Sequence, residues 1–172
     1  KQNHSKYVSK MVIDAAKGTT DEQVNCKISD LVSSNKKVTF TCLEKSLPFP
    51  INRVLKDALD LIPFQEELNN ETLVVKDLEP GQYKLSIDNI DIGRYSNKDL
   101  ARGVNLADSQ KTPQYKQAYE VYKECFKRRS IESLRRTYAR VRHYYIKNSK
   151  IDFDNTEDFN RECKNWLEKT VN

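Results

Sequence analysis

The sequence predicts an α+β fold: antiparallel β-hairpins forming a small sheet or sandwich-like unit, followed by a long basic helix and a short C-terminal helix. Two patterns support this expectation. Before residue 96, apolar and polar residues alternate in several short segments, which is typical of strands with one buried face. After residue 112, apolar residues recur every three or four positions, which is typical of amphipathic helices. Gly and Pro together account for only nine of the 172 residues, so an ordered chain is expected.

The first part of the chain contains three predicted strands. The run Tyr7–Ile13 predicts the first of them. Two further segments alternate apolar with polar residues: Val24, Cys26 and Ile28, then Val38, Phe40 and Cys42. A three-residue hairpin loop at Ser33–Asn35 would place Cys26 opposite Cys42, close enough for a disulfide. Two buried free thiols are the alternative, and the sequence leaves both open.

A connector, a helix and another strand follow. Leu47-Pro48-Phe49-Pro50 predicts a rigid extended connector with two apolar anchors. Apolar residues at helical spacing then predict a helix near 51–62, which Pro63 ends. A strand is expected over Thr72–Lys76.

The clearest local signals lie in the next hairpin. Tyr83–Ile87 and Ile90–Tyr95 each alternate apolar with polar residues, which predicts two strands. Asp88-Asn89 between them can form a tight turn, because Asp and Asn tolerate left-handed backbone geometry.

Capping residues mark the helix ends. Ser96 and Asp99 resemble a capping box at the start of a short helix near 97–102, and Gly103 suits its end. Thr112-Pro113 is a strong start for the long helix, with Thr at the N-cap and Pro at the first helical position.

The long helix is the basic part of the chain. From Gln114 to Lys150 there are eleven Lys or Arg and three Glu, a local charge of +8, within a chain whose net charge is +5. Its apolar stripe changes phase near Arg128-Arg129-Ser130, which predicts a bend or two helices end to end. A last short helix is expected over 157–169.

The basic residues of this helix have three interpretations. Arg128, Arg129, Arg135 and Arg136 belong to a basic helix in which Arg and Lys are interleaved with tyrosines, and they could bind phosphate backbones. They could equally form a solvated helix face whose tyrosines belong to the core, or a contact surface for another protein domain. The spacing of the tyrosines matches a buried stripe, so we favour the solvated face and do not expect nucleic acid as the partner.

We expect residues 1–107 to form a β-rich unit with short helices near 51–62 and 97–102, and residues 112–172 to pack on it as a helical segment of one compact domain. No apolar run approaches the roughly 18 residues of a membrane span. The N-terminal residues lack the apolar core of a signal peptide. The chain begins with Lys1 rather than Met, so we expect further sequence before it.

No catalytic constellation is visible in the sequence. The two histidines are far apart, and the four cysteines include no C-x-x-C pair, so there is no zinc motif. The sequence also lacks a G-x-S-x-G elbow, a P-loop and a G-x-G-x-x-G fingerprint. We therefore expect no catalytic residue, metal ligand or cofactor site within the chain.

Short segments between Lys6 and Tyr145 carry a resemblance. They are LPFP at 47–50, Phe64 with ELN at 67–69, LVV at 73–75 with Leu78, PGQYKL at 80–85, Ile87-Asp88, Ile92-Gly93, GVNLA at 103–107 and TPQY at 112–115. In order and spacing they resemble the C-terminal part of certain bacterial GDSL-type SGNH hydrolases. The sequence departs from that pattern at Asn89-Ile90, where glycine is common, and in its four cysteines.

In that family the nucleophile is a Ser in a Gly-Asp-Ser block near the N-terminus, and an Asp-x-x-His-Pro block supplies the base and its orienting acid. Neither block occurs in residues 1–172. The resemblance thus implies that this chain is a non-catalytic accessory region packing on an N-terminal α/β catalytic domain of the same protein. It further implies an ester or carbohydrate substrate, a periplasmic or secreted location, and a position for Asn105 near the substrate mouth.

Two other functions remain open. The chain could be a free-standing protein- or carbohydrate-binding module, which would be a stable monomer without hydrolytic activity. It could also bind nucleic acid through the basic helix, in which case its affinity would fall steeply with salt.

Overall fold

A computed structural model of the chain describes residues 6–51, 59, 61–141 and 143, together with 157, 160, 161, 164 and 168. The fold is α+β, with small antiparallel sheets and a long helix, as the sequence predicts. The chain divides into two units, Lys1–Glu120 and Val121–Asn172. The division falls within the long helix, whose first two turns belong to the first unit.

A four-stranded sheet forms the centre of the first unit. Its strands are β1 (Tyr7–Asp14), β2 (Thr19–Val24), β5 (Asn70–Lys76) and β8 (Val104–Asn105), in the order β2-β1-β5-β8. The two inner strands run parallel to each other, and the outer pairs are antiparallel. The sequence does not predict this parallel pair, because it joins segments that are far apart in the chain. Most residues of both inner strands are buried, as expected for strands covered on both faces.

Two hairpins complete the sheets of the first unit. The first pairs β3 (Cys26–Ser34) with β4 (Lys37–Glu44), and the second pairs β6 (Gln82–Ile87) with β7 (Ile90–Ser96). The second hairpin is as predicted, and its turn residues Asp88 and Asn89 both have positive φ, 49° and 64°.

The first hairpin corrects two expectations. Its turn has two residues rather than three, and a β-bulge between Ser29 and Val32 shifts the register. Cys26 therefore lies opposite Glu44, and Cys42 lies opposite Ile28. The predicted opposition of the two cysteines is wrong. Diagonal neighbours in a sheet have Cα atoms roughly 7–8 Å apart, beyond the usual span of a disulfide, and both cysteines are free thiols in the structure.

A backbone reversal at Asn25 is the second departure in this region. The sequence pattern predicts one strand through Val24, Cys26 and Ile28, whereas Asn25 has a φ of 54° and interrupts it. The segment before Asn25 pairs with β1, and the segment after it pairs with β4. Asn tolerates this left-handed conformation better than most residues, so the break costs little.

Three helices are described: α1 (Phe64–Glu67), α2 (Asn97–Arg102) and α3 (Pro113–Val141). The predicted capping box of α2 is confirmed, and Gly103 ends that helix with a φ of 104°. At the start of α3, the Thr112 hydroxyl accepts a hydrogen bond from the Tyr115 N–H at 3.2 Å. The predicted helix near 51–62 and the one over 157–169 lie largely outside the described residues.

The main core lies between one face of the central sheet, the two hairpins and α2. Its buried members are Met11, Ala15, Cys26, Leu73, Val75, Ile92, Leu100 and Leu106. They come from β1 and the turn after it, β3, β5, β7, α2 and the loop after β8. Segments distant in sequence thus share one apolar interior, which is the main stabilising contribution in a domain of this size.

In the second unit, α3 continues without interruption from Val121 through Arg128-Arg129-Ser130 to Val141, rather than forming two helices. The predicted stripe of buried tyrosines is confirmed only at the start of α3, where Tyr115 is buried. Tyr119 is 46 % exposed, and Phe126 in the second unit is 58 % exposed. None of the helices in the described part of the chain is long and apolar enough to cross a membrane.

Candidate functional site

Among the described residues, the segment from Leu43 to Leu68 in the first unit carries six exposed large apolar side chains. They are Leu43, Leu47, Phe49, Leu61, Ile62 and Leu68. The rings of Phe49 and Phe64 meet edge to face, with centroids 5.7 Å apart and an interplanar angle of 74°. We call Phe49, Leu61, Ile62, Phe64 and Leu68 the Phe49 surface. Exposed apolar groups of this kind commonly mark contact sites for other protein surfaces.

A buried amide holds Phe49 in this exposed position. Asn69 is fully buried, and its Oδ1 accepts a hydrogen bond from the Phe49 N–H at 2.7 Å. Its Nδ2 donates to the Phe49 carbonyl oxygen at 3.1 Å and to Gln65 Oε1 at 2.9 Å. Pro48 and Pro50 on either side of Phe49 are buried. The connector is therefore fixed, and only the phenyl ring between the prolines faces solvent.

Asn105, predicted to lie near a substrate mouth, is bound to the same region. Its Oδ1 accepts hydrogen bonds from the N–H groups of Glu71 at 3.0 Å and Ala107 at 3.1 Å. Its Nδ2 donates to the Asn69 carbonyl oxygen at 3.2 Å. The residue is exposed, but these bonds commit its amide to the backbone of neighbouring strands. In the structure Asn105 stabilises the segment that presents the Phe49 surface.

Two glutamates lie close together in the interior beside these strands. Glu71 on β5 is 1 % exposed and is the direct register partner of Ser9 on β1. The Ser9 hydroxyl donates a hydrogen bond to Glu44 Oε1. The Oε2 atoms of Glu44 and Glu71 are buried and have no hydrogen-bond partner among the described residues.

Burial changes the acidity of Glu71. Desolvation, with a smaller contribution from the nearby Glu44 carboxylate, raises the pKa of Glu71 to about 8. A carboxyl group in such surroundings keeps its proton at neutral pH, because the charged form loses its hydration. Glu71 is thus expected to be a neutral acid in the folded protein below about pH 8.

The two cysteines of the first hairpin are poor nucleophiles in this structure. Burial raises the pKa of Cys42 to about 12, and the neighbouring Cys26 and Glu44 contribute in the same direction. Burial also raises the pKa of Cys26, whose Sγ lies 3.3 Å from the Lys10 carbonyl oxygen. Because the thiolate is the reactive form, neither cysteine is suited to covalent catalysis.

The four predicted basic residues lie exposed on α3. Glu132 lies between two of them, with Arg128 Nε at 3.7 Å from Oε1 and Arg136 Nη2 at 3.9 Å from Oε2. Arg129 and Arg135 form no ion pair with any residue that the structure describes. Long ion pairs on an exposed helix face stabilise only slightly. The three interpretations of this surface therefore stay predictions.

No metal site emerges from the described residues: they contain no group of three or more His, Cys, Asp or Glu side chains able to hold a metal ion. The sequence does not predict the hydrogen bonds of Asn69 to Phe49 or the proximity of Glu44 and Glu71. Asn69 follows a short helix and resembles an ordinary loop residue. The two glutamates lie on β5 and β4, and both are next to Ser9 of β1: Glu71 is its register partner and Glu44 accepts its hydrogen bond. The one sequence feature that could have indicated a buried glutamate is a charged residue near the start of a strand that is otherwise apolar.

No protein-family model matches the chain, and no curated protein matches it either. One solved structure is similar, described as "BT4096 a gut microbial diltiazem-metabolizing enzyme". The two share 32 % sequence identity with a TM-score of 0.79. The similarity covers 95 % of this chain but 40 % of that enzyme. The chain therefore spans less than half the length of the enzyme that it resembles.

Proposed function

We propose that this chain is a non-catalytic accessory region of a longer SGNH/GDSL-like ester hydrolase, packing on an α/β catalytic domain and shaping its substrate mouth. One observation carries the proposal: almost the whole chain corresponds to less than half of an enzyme, at 32 % identity. A region so related is expected to serve a larger catalytic unit, because its own sequence lacks a nucleophile block and an acid–base block.

The chemistry of diltiazem is consistent with an ester hydrolase. Diltiazem carries an acetate ester, and removal of an acetyl group is one way to metabolise it. The segment pattern between Lys6 and Tyr145 independently resembles a family of ester hydrolases, and in that family the catalytic blocks precede the region resembled. Both lines lead to a small-molecule or carbohydrate ester as the substrate class of the longer protein.

The experiment begins with the coding DNA upstream of Lys1. We expect an in-frame extension that encodes a Gly-Asp-Ser block and an Asp-x-x-His-Pro block. The longer protein should release acetate from 4-nitrophenyl acetate and from diltiazem. Replacing the block serine by alanine should abolish that release, and this serine variant is the control for contaminating esterases. A longer protein without ester hydrolysis, or a coding sequence limited to these residues, would overturn the proposal.

A second candidate function is a protein- or carbohydrate-binding module, and the exposed Phe49 surface favours it. Aromatic side chains held rigidly at a surface can stack on sugar rings or insert into a protein groove. In that case the 172-residue chain itself would bind its ligand. Binding would be lost on substituting Phe49, without any hydrolysis by a longer protein.

A further inference from the structure

We propose that the Phe49 surface is the face against which the rest of the longer protein packs. This inference rests on the function proposed above, because the occupant is the part of that protein outside these 172 residues. It assigns to Phe49, Leu61, Ile62, Phe64 and Leu68 the role of an interdomain contact.

The exposure of these side chains is the first argument. Leu61 is 85 % exposed, Leu68 is 63 % exposed and Phe49 is 56 % exposed. Covering apolar surface is favourable by about 25 cal/mol per Å². Interdomain interfaces within one chain usually bury about 600–1,500 Å². Five large apolar side chains with their surroundings supply a central part of such an area.

The lack of charge in the two segments that carry four of the five side chains is the second argument. The fifth, Leu68, follows Glu67 at the end of α1. Residues 47–51 read LPFPI and residues 61–64 read LIPF, without a single charged or hydrogen-bonding side chain. The exposed apolar residues of α3 are different, since Tyr119 and Val121 flank Glu120, and Phe126 precedes Lys127. Solvated helix faces mix apolar with charged residues in this way, whereas the centre of an interface is depleted of charge.

The rigidity of the Phe49 backbone is the third argument. Asn69 donates to or accepts from both backbone groups of Phe49, and the flanking prolines are buried. A side chain held in one position before binding loses less conformational entropy when it binds. Preorganisation of this kind favours an anchor in a permanent interface over a loop whose exposure has no role.

Two observations indicate the occupant: the length of the related enzyme outside the matched part, and the negative charge beside the Phe49 surface. The similar enzyme contains more than half of its length outside the matched part, which is ample to cover the surface. Beside the apolar residues, Glu66 and Glu67 on α1 are exposed, and neither forms an ion pair with the described residues. The occupant is therefore expected to present an apolar patch bordered by Lys or Arg.

Covalent footprinting of the longer natural protein tests this assignment. Carbene labelling followed by peptide mass spectrometry reports which side chains solvent reaches. Phe126 is the matched reference, because it is 58 % exposed against 56 % for Phe49, and Val32 at 68 % is a second reference for Leu68. We expect labelling at Phe49 and Leu68 at least about fivefold below that at the references.

Two variants of the longer protein test whether Phe49 is needed for the protection of its neighbours from labelling. Phe49→Asp should raise labelling at Ile62 and Leu68 to the level of Val32, whereas Phe126→Asp should leave it unchanged. If Phe49→Asp does not fold, Leu68→Asp with labelling at Phe49 makes the same comparison. Equal labelling of Phe49 and Phe126 in the unsubstituted longer protein would overturn the inference.

Other occupants give distinct outcomes. Protection at Phe49 that disappears on dilution, with a dimeric mass by light scattering, would show that a second copy covers the surface and would overturn the assignment. The result is also separable from the proposed function. A longer protein that protects Phe49 without cleaving esters contradicts only the hydrolase proposal. One that cleaves esters with Phe49 fully labelled contradicts only the interface, and a gene encoding these residues alone overturns both.

Discussion

Asn105 donates a hydrogen bond from its Nδ2 to the carbonyl oxygen of Asn69 at 3.2 Å. This contact joins β8 to the residue before β5, and Asn69 in turn holds both backbone groups of Phe49. Two asparagines thus connect the edge of the central sheet to the exposed apolar surface. Side-chain amides suit this task, because each can accept and donate towards backbone groups at once.

The Asn105 contacts predict a loss of stability on substitution. Asn105→Ala leaves the N–H groups of Glu71 and Ala107 without their acceptor, so we expect the free energy of unfolding to fall by about 1–3 kcal/mol. Urea denaturation measures this change. Asn105→Asp is the comparison variant, because it keeps the acceptor oxygen and loses the donor to the carbonyl oxygens of Asn69 and Gln65.

The comparison also separates two roles for Asn105. If the alanine variant unfolds at the same urea concentration as the original protein, the structural role is wrong. A residue acting on substrate would instead lower kcat/KM in the longer enzyme while leaving the unfolding midpoint unchanged. Both measurements together decide whether Asn105 shapes a substrate mouth directly or only supports the strands beside it.

Glu71 predicts a pH dependence of stability. Its pKa is about 8 in the folded protein and near 4.5 when unfolded, so the folded state binds the extra proton between these values. Stability should therefore fall as pH rises from about 5 to about 8. Glu71→Gln mimics the neutral acid and should lessen this fall, by more than about 1.4 kcal/mol, the equivalent of one pKa unit.

Urea unfolding at several pH values tests the Glu71 prediction. Glu67→Gln, the same substitution at an exposed position of α1, should leave the pH profile as it was. A Glu71→Gln variant whose unfolding free energy varies with pH as steeply as that of the original protein would show that Glu71 is ionised in the folded state.

We expect a single methyl group added at Gly103 to lower the stability of the protein strongly. Its φ is 104°, where L side chains are strained, and an added Cβ would lie 3.1 Å from Thr72 Cγ2. Gly103→Ala should destabilise the protein by about 1–2 kcal/mol or more from backbone strain alone. Gly81→Ala is the matched control, since its nearest contact would be 3.9 Å away and its φ is not positive. Thermal unfolding of the two variants measures the difference. Equal midpoints for Gly103→Ala and Gly81→Ala would contradict the prediction.

Local signals explain which parts of the fold the sequence predicts well. The β6–β7 hairpin, the Ser96–Asp99 capping box and the Thr112 N-cap each depend on residues within a few positions of one another. Their geometry is set by backbone preferences that do not need the rest of the fold. The same reasoning fails at Asn25, where alternation continues across a residue whose positive φ turns the chain.

Long-range pairing explains what the sequence does not predict. The parallel contact of β1 with β5 joins positions about 60 residues apart, such as Met11 and Leu73, and no local pattern specifies it. This pairing places Ser9 beside Glu71, and the Ser9 hydroxyl in turn donates a hydrogen bond to Glu44 on β4. The register of the first hairpin depends likewise on a bulge after Ser29, which alternation alone cannot locate.

We expect substitutions on the basic surface of α3 to have little effect on stability. Arg129 and Arg135 are exposed and make no ion pair with the described residues, so replacing both by alanine should change the unfolding free energy by less than about 0.5 kcal/mol each. The 172-residue chain should also show no affinity for single-stranded RNA at low salt in fluorescence anisotropy. Affinity that falls steeply with salt and is lost in the double variant would instead support nucleic-acid binding.

The different burial of the cysteines leads us to expect different rates of alkylation. Cys125 is exposed, whereas Cys26 is buried and the pKa of Cys42 is raised to about 12. At pH 8 we expect iodoacetamide to modify Cys125 about 100-fold or more faster than either of the other two, because Cys125 is accessible whereas burial raises the pKa of both Cys26 and Cys42. Peptide mass spectrometry resolves the sites, including Cys163 outside the described residues. In concentrated urea the three rates should converge, since unfolding removes the burial that separates them.

The same experiment decides between thiols and a disulfide at Cys26 and Cys42. A disulfide would leave both cysteines unmodified even in urea without reductant, and the intact mass would be lower by two hydrogens. The diagonal register places the two Cα atoms beyond the usual disulfide span, so we expect both to be alkylated once the protein unfolds. Resistance that only a reductant removes would mean that the hairpin shifts to the register in which the two cysteines face each other directly.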